Sequence, residues 1–152
     1  MTIWPLQAWQ IPQMAQIERL CFSDPWSQKA LEEELENPLA LYFVACEGER
    51  VLGYVGTRMV CGQCDVTNVA VHPRCRRQGI GRRLMETLVE HCKARGITPL
   101  QLEVRVSNQP AIALYQALGF VRQGVRPNYY QDPREDALLM ARDLGTGEIE
   151  KI

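Results

Sequence analysis

A mixed α/β fold follows from three features of this 152-residue sequence. Three β-type segments succeed one another between residues 41 and 72 with only short turns between them, the pattern of an antiparallel meander. A strand ending at His72, a helix ending near Arg95 and an alternating strand ending at Val106 then form a crossover, which makes those two strands parallel neighbours. Two more β-type segments follow residue 119, so the predicted sheet is mixed.

Each element has its own local reason. Over Leu6 to Phe22, the residues Trp9, Met14, Ile17, Leu20 and Cys21 recur at three- and four-residue spacings, which predicts a helix with one apolar face, and Asp24-Pro25 stops it. Ser27 is placed to cap a second helix through Glu36, with Trp26 packing on Leu31 as a staple and Asn37-Pro38 closing it. Glu32, Glu33, Glu34 and Glu36 make that helix acidic. From Leu41 the period changes: LYFVACE, a Gly48-Glu49 turn and VLGYVGTRMV read as a hairpin, and CDVTNVAVH as the next strand after a turn at Gly62-Gln63. Leu84, Met85, Leu88, Val89 and Cys92 share one face of a helix over Arg82–Arg95 that Gly96 ends. In PLQLEVRV, Leu100, Leu102, Val104 and Val106 alternate with Gln101, Glu103 and Arg105. A helix from Asn108 to Leu118, stopped by Gly119, precedes the strands FVRQGV and ALLMARDL. The expected organisation is one domain over residues 1–144 and a flexible tail over residues 145–152.

Composition narrows the function. The chain is 46% hydrophobic with a formal net charge of −1, so it can bury a core and lacks the excess of Lys and Arg that displaces counterions from nucleic acid. It has no run of eighteen apolar residues and no charged-then-apolar leader; no membrane association is expected, and the expected location is cytoplasmic. Cys61 and Cys64 have the spacing of half a zinc or redox site, but no second pair or paired histidine follows. No metal is expected, and these cysteines read as small apolar residues flanking a hairpin tip.

Positive charge is nevertheless concentrated in RCRRQGIGRR, residues 74–83, between a strand and a helix. Unpaired backbone N–H groups and the positive end of a helix dipole make such a junction an anion site. Glycines let phosphate oxygens approach the backbone and arginines add charge-assisted bonds, a combination suited to a diphosphate. Neither G-x-x-x-x-G-K-[ST] nor G-x-G-x-x-G is completed, so the residues alone leave ATP, NAD and coenzyme A as bearers of that anion.

The stretch VAVHPRCRRQGIGRRLM resembles the acetyl-coenzyme A signature of the GNAT N-acetyltransferases, a strand followed by [RQ]-x-x-G-x-[GA], filled here by Arg76, Gly79 and Gly81. LEVRVSNQPAIALYQALGF resembles the second half of that fold, with Asn108 and Tyr115 at the family's positions. NPLALYF, DPWS and NYY with REDALLM resemble the bacterial RimI type, which acetylates the N-terminal alanine of the eighteenth small-subunit ribosomal protein. The likeness runs from about Pro25 to Met140, and Pro133 departs from it at a place where glycine is expected.

The resemblance implies a GNAT fold with helices on both faces of a mostly antiparallel sheet, its parallel pair splayed to hold acetyl-CoA as cosubstrate. It implies direct transfer in a ternary complex, with a ribosomal protein N-terminus as acceptor. Val69, Ala70 and Val71 would offer backbone groups to the pantetheine and the thioester carbonyl, Arg76, Arg77, Gln78, Gly79, Ile80, Gly81 and Arg82 would surround the diphosphate, and Asn108 would bond the cofactor. Glu103 would take the amine proton, usually through water, and Tyr115 would protonate the departing sulfur. Trp26, Asn128, Tyr129 and Tyr130 would contact the acceptor, and the acidic helix would attract a basic one. Read without the family, Glu103 is a strand carboxylate paired with Arg105 or another cation, Tyr115 a core tyrosine and Asn108 a helix cap. Transfer to a small amine or free amino acid, a coenzyme A sensor without turnover, and a covalent route through Cys75 are the other readings.

Overall fold

The computed structural model of the chain describes residues 1–145. Its elements are β1 (Thr2–Pro5), α1 (Ile11–Cys21), α2 (Gln28–Glu36), β2 (Ala40–Glu47), β3 (Arg50–Val60), β4 (Gln63–Val71), α3 (Ile80–Arg95), β5 (Leu100–Arg105), α4 (Gln109–Ala117), β6 (Val121–Tyr130) and β7 (Glu135–Arg142). The strands form one sheet in the order β1-β2-β3-β4-β5-β7-β6. All neighbours are antiparallel except β4 and β5, the parallel pair that the crossover predicts. Of the expected tail, only Gly145 lies within the described residues.

Alternation along β2 shows how the layers form. Tyr42, Val44 and Cys46 join Ile11, Met14, Ile17 and Leu31 in a cluster beneath α1 and α2. Ala45, with Leu41 and Phe43 at its margin, joins Leu84, Met85, Leu88, Leu100, Leu102 and Ile112 beneath α3 and α4. Helices therefore cover both faces, but α1 and α2 cover only the β2–β4 side of theirs.

Three sequence expectations are corrected. The α-helix does not begin at Leu6: Thr2–Pro5 pair with Cys46–Phe43 as an edge strand, Ala8–Gln10 make a single 3-10 turn, and α1 starts where Pro12 occupies the first turn, a position whose missing N–H costs no helical bond. The buried face of α1 is consequently Ile11, Met14, Ala15, Ile17 and Glu18, while Trp9 and Leu20 are exposed. Glu34 does not belong to a solvated acidic face. It is buried, accepts from the Tyr42 hydroxyl at 3.0 Å and pairs with Arg58 at 3.0 Å. The last turn between β3 and β4 is Cys61-Gly62, since Val60 pairs with Gln63; Cys61 is exposed and Cys64 buried.

The caps match their residues. The Ser27 hydroxyl accepts from Ala30 N at 3.0 Å and the Asn108 side chain from Ala111 N at 3.3 Å. Gly96 ends α3 with φ 67°.

Candidate active site

The strands β4 and β5 begin as neighbours and then part. They pair only at Cys64–Leu100 and Asp65–Gln101. Just beyond, Thr67 is an extra residue opposite the Gly56–Thr57 step of β3, a bulge that bends β4 away. The His72 N–H donates to Leu52 O at 2.8 Å, so alternation along the ladder turns the Ala70 backbone toward Tyr54 of β3 and the Val69 and Val71 backbones toward β5. With no strand opposite them among the described residues, these groups line a gap. The Val71 carbonyl accepts from Arg76 Nε at 3.3 Å and from the Cys21 thiol at 3.5 Å. Among the described residues, the N–H groups of Val69 and Val71 have no backbone partner.

The gap leads to the glycine-arginine turn. Gly79, at φ 77°, takes the left-handed conformation from which α3 starts, and no side chain caps the helix. The first intrahelical donor is Arg83, on Gly79 O at 3.0 Å, which leaves the N–H groups of Ile80, Gly81 and Arg82 without helical partners. The Ile80 side chain is in the core, so this residue can offer only its backbone. Arg77, Gln78 and Arg82 are exposed, Arg82 in an i,i+4 pair with Glu86 at 3.3 Å. Arg76 does not face the turn: its Nη2 lies 3.3 Å from Cys21 Sγ. The junction is electropositive and its backbone donors are uncommitted, the requirements of an anion site.

On the other strand, Leu100, Leu102 and Val104 enter the core while Gln101, Glu103 and Arg105 face away from α3. The Glu103 carboxylate is one-third exposed at 32%, with Arg126 Nη1 at 3.9 Å from Oε2. It is paired with neither Arg105 nor any closer cation among the described residues. The neighbouring Glu103 carboxylate, and then burial, raise the Tyr129 pKa, so Tyr129 holds its proton against that carboxylate. A cavity of about 230 Å³ opens beside them, lined in part by Gln101, Glu103, Gln123, Arg126 and Leu139. A larger one of about 400 Å³, near Glu90, Lys93, Gly119 and Arg142, contains none of these groups.

Tyr115 is buried against Phe120, ring centroids 5.9 Å apart, and burial alone pushes its pKa up to about 12. Burial likewise raises the Tyr130 pKa, which also feels Tyr129, Glu103, Arg105 and Tyr115. The fold thus gathers Glu103 from β5, Tyr115 from α4 and Tyr129 and Tyr130 from β6 into one electrostatic neighbourhood. Asn128, at φ 53°, has its N–H held by Asp136 at 2.9 Å. Trp26 belongs elsewhere, with the cluster beneath α1 and α2; its N–H donates to Glu18 Oε1 at 2.8 Å. Glu18 is fully buried and also accepts from Tyr54 and from Asn68 Nδ2, which ties the Trp26 loop to β3 and to the bulged stretch of β4.

Sequence reasoning missed Arg126 and Glu18. Continued period-2 reading past Val125 would have reached Arg126, but Pro127 breaks that pattern. Nothing local marks Glu18 as buried: one partner, Trp26, is 8 residues away, but the other two lie 36 and 50 residues away. No group of three or more His, Cys, Asp or Glu side chains among the described residues could hold a metal ion, and no described helix is long and apolar enough to cross a membrane.

The model of the acetyltransferase (GNAT) family matches residues 11–120. A Bacillus subtilis (strain 168) protein is 41% identical over 131 residues, covering 86% of this chain and 87% of its own length. The ribosomal protein bS18-alanine N-acetyltransferase of Escherichia coli (strain K12) is 38% identical over 142 residues, covering 92% and 95%. The crystal structure of the ribosomal-protein-S18-alanine N-acetyltransferase from Escherichia coli superposes with a TM-score of 0.88 at 37% identity, covering 95% of this chain and 94% of that one. Naa20 of Chaetomium thermophilum, solved with a bisubstrate analogue, shares the fold at a TM-score of 0.81 and 23% identity, covering 94% and 86%.

Proposed function

Because the chain belongs to the acetyltransferase (GNAT) family, we propose that it moves the acetyl group of acetyl-CoA to the N-terminal alanine of ribosomal protein bS18, by direct transfer in a ternary complex in the cytoplasm. One observation carries the mechanism: the β4–β5 gap opens beside the strand that bears Glu103. The acceptor comes from what the relatives at 38% identity and above are named for, together with the NYY and REDALLM segments.

The residues present suit a thioester on a diphosphate-bearing arm. Val69 and Val71 offer uncommitted N–H groups in the gap, and the turn at Gly79–Arg82 offers three more beside exposed arginines. Arg77, Gln78, Gly79, Ile80, Gly81 and Arg82 would hold the diphosphate, the last three through their N–H groups. Arg76 would support them by fixing the Val71 carbonyl. Ala70 would set the register of its two neighbours, and Asn108 would serve the cofactor as well as its own helix. Bound there, acetyl-CoA supplies an acetyl thioester.

An α-amine has a pKa of about 8, so roughly one in ten is neutral near pH 7 and a modest base suffices. Glu103 takes the proton that the amine releases as its nitrogen bonds the acyl carbon, directly or through water. The Val69 N–H donates to the acyl oxygen as charge accumulates on it, while the Val71 N–H, two residues along the strand and nearer the diphosphate turn, bonds the pantetheine arm. Tyr115, kept neutral by burial, donates its phenolic proton to the sulfur as that atom departs with the electron pair of the broken C–S bond. Solvent then restores the Tyr115 proton and removes the one on Glu103, leaving the acetylated amine and a free thiol. Tyr129, Tyr130 and Asn128 border the acceptor, and Glu32, Glu33 and Glu36, all exposed, present a negative face to a basic protein.

Mass spectrometry tests the acceptor. The purified chain, given acetyl-CoA, is expected to acetylate the α-amine of a peptide with the bS18 N-terminus and to leave polyamines and free amino acids unchanged. Acetylated polyamine with an untouched peptide would overturn this reading.

A further inference from the structure

Two residues beyond Glu103, on the same face of β5, stands Arg105. Its chemistry is not needed for acetyl transfer, yet its guanidinium is committed on three sides. Nη1 donates to Pro133 O at 2.9 Å and to Glu135 Oε1 at 3.2 Å, and Nη2 donates to Gln131 O at 3.1 Å. The guanidinium carbon also sits 4.5 Å from the centroid of the Tyr130 ring. Glu135 is fixed in turn, since its other oxygen accepts from Ser107 N at 2.7 Å. Hydrogen bonds from Ser107 first, and Arg105 second, hold the Glu135 carboxyl below its ordinary value, so the pair is ionised near neutral pH.

The segment so held is the connection between β6 and β7. Gln131, Asp132, Pro133 and Arg134 are all exposed, so no apolar side chain anchors it. A loop without a core of its own keeps one shape only if its polar backbone is tied to something rigid. Here the tie is the strand that carries the base. The fork of five N–H donors is what lets one side chain bond two carbonyl oxygens and a carboxylate while stacking on a ring, a task for which a lysine ammonium has neither the plane nor the reach.

We propose that Arg105 is a positioning residue: it locks the β6–β7 loop and Tyr130 in register with Glu103, and so sets the affinity for the acceptor. This rests on the reading above that the acceptor lies along Tyr129 and Tyr130. The test uses Arg105→Lys and Arg105→Gln in the full chain, with amide hydrogen exchange and two-substrate kinetics. In both variants the amides of Asn128 and Ser107, which hydrogen bonds to Asp136 and Glu135 protect at the base of the loop, should exchange about ten-fold faster than in the wild type, while those of α3 do not change. KM for the peptide should rise about ten-fold, with KM for acetyl-CoA and kcat within about three-fold of wild type. Glu135→Gln, which weakens one of the three bonds, should give a smaller rise in peptide KM. Should the wild type acetylate no alanine-starting peptide, the acceptor reading falls, and loop exchange still decides whether Arg105 holds the loop. Wild-type exchange in the loop together with wild-type peptide KM in both variants would overturn the inference.

Discussion

Carboxylates in the two halves of the sheet are treated in opposite ways. In the half covered on both faces, β3 is buried over Val51–Thr57, and the acidic groups above it are saturated with donors. Glu18 has the Trp26 N–H, the Tyr54 hydroxyl and Asn68 Nδ2, and Glu34 has the Tyr42 hydroxyl, Asn37 and Arg58. In the half covered on one face, β6 is almost wholly exposed, and Glu103 has a cation no nearer than 3.9 Å and a tyrosine that keeps its own proton. A buried carboxylate must be satisfied and is then inert. A carboxylate that has to gain and lose protons needs spare lone pairs and a path to substrate. The difference separates residues that hold the fold from the one to which we assign the chemistry.

That separation can be broken by matched substitutions. The largest effect is expected for Glu103→Gln, a loss of about 10²- to 10⁴-fold in kcat with the urea midpoint unchanged, read by thiol release and denaturation on the same protein. An unchanged rate across the pH range would remove Glu103 from the chemistry. The converse is Leu88→Ala, which opens a cavity under α3 at a fully buried position and should lower stability by about 2–5 kcal/mol. Its rate per folded molecule should stay within about two-fold of wild type; a kcat loss comparable to that of Glu103→Gln would mean that the two halves are not separable.

Tyr115 sharpens the comparison because it belongs to the core and is also the proton donor we propose. Its pKa is raised to about 12, so the proton-bearing form persists well above the ordinary tyrosine range. kcat should therefore show no fall between pH 9 and about 10.5, the interval in which an ordinary phenol of pKa ~10 would lose its proton. Tyr115→Phe should lower kcat by about 10²-fold, the low end of the loss expected for Glu103→Gln, at every pH in that interval. A descending limb near pH 10 that disappears in Tyr115→Phe would contradict the buried, neutral donor.

Much of this was readable from local pattern. The apolar stripe of α3, the alternation of β5, the caps at Ser27 and Asn108 and the parallel β4–β5 pair all arise from interactions a few residues apart or from chain connectivity. So did the uncommitted N–H groups at Gly79–Arg82, since glycine spacing and helix position signal them directly. What was not readable depends on register across the sheet. β1 is four residues with Pro5 at its end and no alternation of its own, and it is a strand only because the β2 edge is beside it. Glu34 looks like one of several surface glutamates until Tyr42 and Arg58, 8 and 24 residues away, are placed above it. The partners of Arg105, 26 to 30 residues along, are set by how β6 turns into β7, and no periodicity encodes that.

The direct test of the gap is amide exchange on β4 with and without acetyl-CoA. Slowed exchange at Val69 and Val71, with Ala70 unchanged because Tyr54 already holds it, is the result expected if these donors receive the cosubstrate. Protection confined to other strands, with Val69 and Val71 exchanging as fast as in the free protein, would contradict the account at its root.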